Sequence, residues 1–333
     1  MVAILPRGAK VDTTLDLIYE RGRTSELADV DLSPFLSPEF LICENCALIF
    51  MKRRSTPAGA ALYYPRLFHL IETPLPFEEL PIPDRFLQRR TWIAQHLIEV
   101  LADNDYLADV ESVLHVRCNM GEVLKILRDE YGFSEVYGLE YLPSLIRHAR
   151  EVFGLENVER MVVPEFHNPF PRKRFDLIFC NEPFGHAHDP GVVVAELKDL
   201  LSDGGLIVVY NEKDHSRVLA SNKLFPHGMN FFHKQLYTRR SLRSFLELSG
   251  FEVLSLPHPA IGKATSPKNT KILYLLRRDE SVIPMLPSDE VDAMKRNFRR
   301  WWSSHKWYKR RQRLLSPFQS RRVAVGGGGE ARR

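Results

Sequence analysis

The residues best suited to chemistry in this chain follow short apolar runs. The first stretch, VLHVRCNMGEVL (113–124), is an apolar run, a turn carrying Arg117, Asn119 and Gly121, and the start of a helical pattern, with His115 near the end of the run. One unit later VYGLEY (136–141) ends on Glu140 and Tyr141. An acidic residue at a strand's carboxyl end can accept hydrogen bonds from both ribose hydroxyls, so this pair of turns suits a dinucleotide or an adenosyl cofactor. A third run, FDLIFC, ends at Asn181 and Glu182, and His186 and His188 come just before Asp189-Pro190. Cys43 and Cys46 form one Cys-x-x-Cys pair, whereas a tetrahedral structural zinc site takes two. Residues 1–42 contain neither Cys nor His. No metal site is therefore expected, zinc needing His69 or a second chain to complete the set, and the thiols are expected in a small apolar core.

These residues need a frame that brings strand ends together. SVLHV, EVYGLE, VERMVV, FDLIFC, LIVVY, FEVLSL and KILYLLRR read as strands. Helical stripes lie between most of them: EVLKILRDEYG, PSLIRHAREVFG, PGVVVAELKDLL and TRRSLRSFLELSG. Such alternation predicts an α/β fold, a doubly wound and mostly parallel seven-stranded sheet. The last two strands have only a Pro/Gly/Lys-rich loop between them, which predicts antiparallel pairing. Upstream, prolines 74, 76, 81 and 83 forbid a helix interior, and a helix is expected from Asp84, with Phe86, Leu87, Ile93, Leu97, Val100 and Leu101 on its apolar face. In open parallel sheets ligands bind at the carboxyl ends of the strands, where the turns named above fall.

The expected organisation is an irregular N-terminal segment (1–84), an α/β domain (85–280) and a basic, aromatic-rich extension (281–333). Hydrophobic residues at 44% and charged residues at 26% exclude wholesale disorder. No apolar run approaches the roughly 20 residues of a membrane-spanning helix. Without a recognisable export signal, a reducing cytoplasm is the expected location. From Val291 onward there are 13 Lys and Arg against 2 Asp and Glu, whereas the rest carries 33 against 40. A basic tail on a mildly acidic body offers contact with an anionic surface (membrane or nucleic acid), with a protein partner, or with the body itself through its tryptophans. RNA as substrate would need a basic cleft, which the acidic body does not supply.

The ordered series over residues 85–278 resembles the class I S-adenosylmethionine-dependent methyltransferases, whose Rossmann-like fold the alternation matches. NPFPRKRFDLIFC is similar to that family's approach to its fourth strand, and GHAHDPGVVVAELKDLLSDGGLIVV to the following helix, turn and strand. FFHKQLYTRRSLRSFLELSGFEVL is similar to its acceptor-side loop and late helix. FLICENCALIF resembles the second half of a small zinc-binding module found before one branch of the family. The resemblance implies S-adenosylmethionine as cofactor, held by His115, Arg117, Asn119, Gly121, Glu140, Tyr141, Glu165, Asn181 and Glu182. It implies a small-molecule methyl acceptor, a sugar or another biosynthetic intermediate, with His186, His188 and His233 as candidate catalytic residues. Asp176 is expected to be structural, pairing at the start of its strand.

One departure stands out. The family carries an acidic residue and then Gly-x-Gly-x-Gly at the first turn, where side chains would fill the cofactor's volume. Here the corresponding residues are His115, Arg117, Asn119 and Gly121, so only the last glycine is kept. His115 removes a carboxylate and is expected to add positive charge. The Arg117 guanidinium has three options: to swing outward, to pair with the cofactor's carboxylate, or to occupy the cleft. The alternative to an enzyme is therefore a catalytically silent methyltransferase-like protein that serves as a binding or assembly partner.

Overall fold

The computed structural model describes residues 2–3, 40–52, 84–161, 169–220, 233–254, 256, 271–300 and 303. Among the described residues the first elements are the short strands β1 (Val2–Ala3), β2 (Phe40–Ile42) and β3 (Ile49–Met51) and the helix α1 (Asp84–Ala102). The alternating region then runs β4 (Ser112–Val116), α2 (Glu122–Tyr131), β5 (Glu135–Glu140), α3 (Pro143–Glu151) and β6 (Val158–Arg160). It continues with β7 (Phe175–Asn181), the one-turn helix α4 (Pro183–His186), α5 (Pro190–Leu200) and β8 (Leu201–Lys213). Last come α6 (His215–Ala220), β9 (Gln235–Leu236), α7 (Arg239–Leu248), β10 (Phe251–Leu254) and β11 (Lys271–Arg278).

Seven strands form one sheet in the order β10-β11-β8-β7-β4-β5-β6. Pairings from β8 through β6 are parallel, and β11 runs antiparallel to both β8 and β10. The winding reverses beside β4, between β5 on one side and β7 on the other, which makes the β4 end the switch point where such sheets bind ligands. The central strands are buried on both faces because helices cover each side, hence their continuous Val/Ile/Leu/Phe runs. One apolar layer holds Leu114, Ile178, Val209 and Leu276 with Leu197 and Leu242, and the opposite layer holds Val113, Leu177 and Val208 with Leu97, Leu127 and Ala149.

Local chemistry accounts for the element ends. Asp189 accepts the Gly191 N–H (2.8 Å) ahead of Pro190, so Asp-Pro is the start signal of α5. Thr238 and Ser241 form a reciprocal capping box at α7. Asp176 Oδ2 accepts from Ser112 N (3.0 Å), Ser112 Oγ (2.9 Å) and Glu111 N (3.2 Å), tying the start of β7 to the start of β4. Gly121 sits at φ +85°, and a Cβ there would lie 2.3 Å from Leu155 Cδ1, so this glycine serves close packing against the loop after α3 as well as the turn.

The segment read from sequence as irregular contains a structured hairpin. β2 and β3 pair antiparallel, β1 adds on one edge, and β9 adds on the other from far along the chain. Cys43 and Cys46 lie in the turn between β2 and β3, where Cys43 N–H donates to Leu48 O (2.9 Å) and Ala47 adopts φ +57°. Both cysteines are free of disulfides and half-buried, and neither belongs to the buried apolar cluster beside them. That cluster is Phe40, Ile42, Ala47, Ile49 and Met51 with Leu219, Leu236, Val291, Met294 and Phe298. Residues 291–300 are helical, and Val291, Met294 and Phe298 fall on one face at i, i+3 and i+7. The basic extension thus begins as a helix packed on the hairpin; His69 and the aromatic residues Trp301, Trp302, Trp307 and Tyr308 lie outside the described residues. Phe298 is 0% exposed and its ring centre is 5.4 Å from that of Phe40. Phe298→Ala is expected to cost about 3 kcal/mol of unfolding free energy, measurable as a lower urea midpoint.

Candidate functional site

The turn after β4 keeps a glycine-type backbone without the glycines. Arg117 and Asn119 adopt φ +58° and +54°, the left-handed region that costs most side chains free energy. Glu140 holds this turn in place. Its Oε2 accepts the Asn119 N–H (2.9 Å) and its Oε1 the N–H groups of Tyr141 (2.9 Å) and Leu142 (3.1 Å). A carboxylate has about four acceptor positions, so three amides leave one for a ribose hydroxyl. The side chain is 1% exposed. Burial lifts its pKa above the ordinary carboxylate value, against the pull of the Leu142 amide and the Arg117 guanidinium.

Arg117 reaches across the switch point. Its guanidinium donates to the carbonyl oxygen of Glu182 at the end of β7 and lies 5.7 Å from the centre of the Tyr141 ring. The side chain is half-buried, so of the three options it takes the cleft. Asn181 Nδ2 donates to Arg117 O (3.3 Å) and Asn211 Nδ2 to Asn181 Oδ1 (2.8 Å), which ties the ends of β4, β7 and β8 into one polar network. The switch point thus offers a buried carboxylate and the Tyr141 ring at the β5 end, and across the turn the Arg117 guanidinium, a counter-charge for an anionic ligand group. Glu165 lies outside the described residues.

His115 departs from the sequence expectation. It is 0% exposed and its Nε2 sits 2.7 Å from Tyr210 Oη on β8. Burial, with the Arg90 charge adding, pulls its pKa down to about 3, so it is neutral and adds no positive charge. Beside it, buried Glu122 at the start of α2 is lifted to about 7 by burial, and Arg90 only partly offsets this.

Beyond β7 the chain builds a second cluster. Glu182 adopts φ +53°, ψ +53°, a strained conformation for a non-glycine at the strand-to-helix turn. Its Oε2 is 3.5 Å from His186 Nε2 and its Oε1 is 3.2 Å from His233 Nε2. The His186 and His233 ring centres are 4.6 Å apart. Lys213 Nζ lies 2.9 Å from His233 Nε2 and 3.7 Å from Glu182 Oε1. Burial works against the Glu182 charge, but Lys271, Lys213 and His186 outweigh it and hold its pKa well below the ordinary value. Burial pulls His186 down to about 3, with Arg117 adding, and pulls His233 well down, with Lys213 adding. Among the described residues, Glu182, His186 and His233 are the one group of three His, Cys, Asp or Glu side chains whose ligand atoms gather within 4.8 Å. His188 is half-buried and lies outside this group.

The structure brings His186 and His233 together with Glu182, joins Asn181 to Arg117, and leaves His188 outside that group. The sequence reading missed Tyr210, Glu212, Lys213 and His215. The strand was read as ending at Tyr210, but β8 runs on to Lys213, and the polar stretch NEKDH (211–215) at its carboxyl end was the available signal. Glu212 fills space left by a glycine. Its Oε1 accepts the N–H groups of Phe184 (2.6 Å) and Gly185 (3.1 Å), and a Cβ on Gly185 would stand 3.1 Å from its Oε2.

The sequence pattern of the methyltransferase-domain family matches residues 85–256, about half of the chain. The chain belongs to that family. It is 27% identical over 178 residues to the 2-methyl-6-phytyl-1,4-hydroquinone methyltransferase of Synechocystis sp., covering 51% of this chain and 52% of that protein. It is 26% identical over 181 residues to the malonyl-[acyl-carrier protein] O-methyltransferase of Acetivibrio thermocellus, covering 51% and 63%. The match thus spans under two thirds of either relative. Among solved structures, an S-adenosylmethionine-dependent methyltransferase from Mesorhizobium loti is 18% identical with a TM-score of 0.40, covering 51% of this chain and 91% of that one.

Neutral His115 gives the site a pH signature. An unfolded histidine titrates near 6.5; the folded value is depressed, so the stabilisation is complete above about pH 6.5 and is lost as pH falls towards 3. The unfolding free energy of wild type minus that of His115→Phe is expected to shrink from about pH 7 to about pH 4.5, by up to about 1.4 kcal/mol per pH unit, in urea titrations at each pH.

Proposed function

We propose that this chain is an S-adenosylmethionine-dependent methyltransferase with a small-molecule acceptor. The observation that carries the reading is the left-handed backbone at both Arg117 and Asn119 beside the switch point, a turn shaped for close approach of a ligand although its glycines are gone. Bound S-adenosylmethionine supplies a methyl group already activated on sulfur, so alignment of the acceptor accounts for much of the rate. In this chain Glu140 and Tyr141 would hold the adenosyl side, with Glu165 at the adenine. Arg117, Asn119, Gly121 and Asn181 would shape the methionyl side. His186 and His233, fixed by Glu182, line the acceptor side, with His188 at its rim. An imidazole held near 3 is a weak base at neutral pH, since a general base works best with a pKa near the operating pH. The two histidines therefore act by positioning an acceptor through its hydroxyl or amine hydrogens. The hydroquinone and malonyl-carrier methyltransferases among the relatives support an acceptor from metabolism and leave its identity open.

A second reading, a silent methyltransferase-like binding partner, is favoured by the Arg117 contact with Glu182 and by the burial of Glu140. Calorimetric titration with S-adenosylhomocysteine decides between them. The enzyme reading expects saturable binding to wild type, weakened about ten- to a hundredfold in Glu140→Gln, the cost of roughly one lost charged contact. No binding to wild type, with binding appearing in Arg117→Gly, would leave the silent partner as the function.

A further inference from the structure

We propose that Glu182, His186 and His233 form a binding site for a divalent first-row transition ion such as Zn2+ or Co2+. Two imidazole nitrogens and one carboxylate make a donor set that prefers these ions to Mg2+ or Ca2+, which favour all-oxygen shells. The separations of 3.5 Å and 3.2 Å between the carboxylate oxygens and the two Nε2 atoms are those of neighbouring ligands around one ion with bonds of about 2.1 Å. Three further observations point the same way.

The first is that a positive group already stands there. The Lys213 ammonium reaches both His233 Nε2 and Glu182 Oε1. Depending on its tautomer, His233 Nε2 either accepts from Lys213 or donates to Glu182 Oε1, 3.2 Å away, and it cannot do both at once. A cation between the carboxylate and the imidazole satisfies both, as one N–H cannot. Lys213 is 19% exposed and on a flexible stem, so it can yield to an ion of higher charge. The second is His215. It is buried, its ring centre is 5.7 Å from that of His233, and neither ring nitrogen has a hydrogen-bond partner among the described residues. Such a buried imidazole carries a cost of about 1–3 kcal/mol unless a partner arrives. The third is the wall. The Glu212 carboxyl accepts from the Phe184 and Gly185 amides in α4, which braces the short helix that separates Glu182 from His186.

An ion held by three protein atoms keeps open positions, through which it could take an acceptor oxygen. That consequence rests on the methyl-transfer reading; the metal site does not, and its test uses neither cofactor nor acceptor.

The test is Co2+ titration of the full-length protein carrying Cys43→Ser and Cys46→Ser, followed by visible absorption and with Zn2+ as competitor. Removing the thiols keeps the cysteine turn from contributing a signal. The expected result is a saturable cobalt band without sulfur charge transfer, lost on adding equimolar Zn2+. His186→Ala, His233→Ala and Glu182→Gln should each weaken binding by more than about tenfold, the lower bound of losses seen even for residues behind the ligands. Because the buried histidine variants are exposed to folding defects, Lys213→Met provides a second arm. It removes the competing ammonium from a partly exposed position, so cobalt affinity is expected to rise. No cobalt band in the Cys43→Ser, Cys46→Ser protein, or a band whose affinity is unchanged in Glu182→Gln and in Lys213→Met, overturns the proposal.

Discussion

The site depends on one carboxylate taking three backbone amides. Glu140 closes the β5 end by accepting from Tyr141 and Leu142, and it reaches over to Asn119 to hold the β4 turn beside it. Two non-glycine residues in left-handed geometry would relax without such a hold, since each costs of order 1–3 kcal/mol. Buried charge-assisted hydrogen bonds are among the stronger local interactions available to offset that cost. Everything downstream at the switch point follows from this turn. Its position lets Arg117 span to Glu182, and Glu182 in turn presents its carboxylate to His186 and His233.

The polar groups at the strand ends divide into two neighbourhoods with different electrostatics. Around β4 and α2, burial dominates: His115 is neutral, and Glu122 is lifted to about 7. Around α4 and the end of β8, lysines dominate, and Glu182 stays ionised despite its burial. The second neighbourhood therefore keeps a negative charge close to two neutral imidazoles, whereas in the first the Arg90 charge acts on a neutral imidazole and on a carboxyl lifted to about 7. Arg117 lies between them, its charge acting on Glu140 on one side and on His186 on the other.

Most of the sheet was legible in the sequence because its strands are buried on both faces, which leaves unbroken apolar runs such as SVLHV and FDLIFC. The reversed strand KILYLLRR was legible for a different reason, the absence of any helical stripe before it. Glu140 was legible as a residue at a strand end, but its three amide bonds were not, since they depend on the shape of the neighbouring turn. The hairpin over 40–51 escaped the reading because its strands have three residues each, too short for an alternation to register, and its outer partner β9 comes from residues 235–236. The lower half of the second cluster escaped because NEKDH follows the apolar run without a break in the backbone: polarity marks where an apolar run ends, not where a strand or its burial does. His115 was misread as a charge because a histidine's protonation is set by burial, which its position inside an apolar run already implied.

The backbone of residues 233–236 is gripped from two sides. Lys234 N–H donates to Gly185 O (2.8 Å) in α4, and Lys234 O accepts from Met51 N–H (2.9 Å), next to the β3–β9 pairing of Ile49 with Leu236 and Phe50 with Gln235. Side chains on a strand alternate faces, so a slip of one residue here would turn Leu236 out of its apolar seat. The small hairpin thus works as a ruler. From far along the chain it holds the register of the strand that follows His233, and with it the seat of that imidazole beside Glu182.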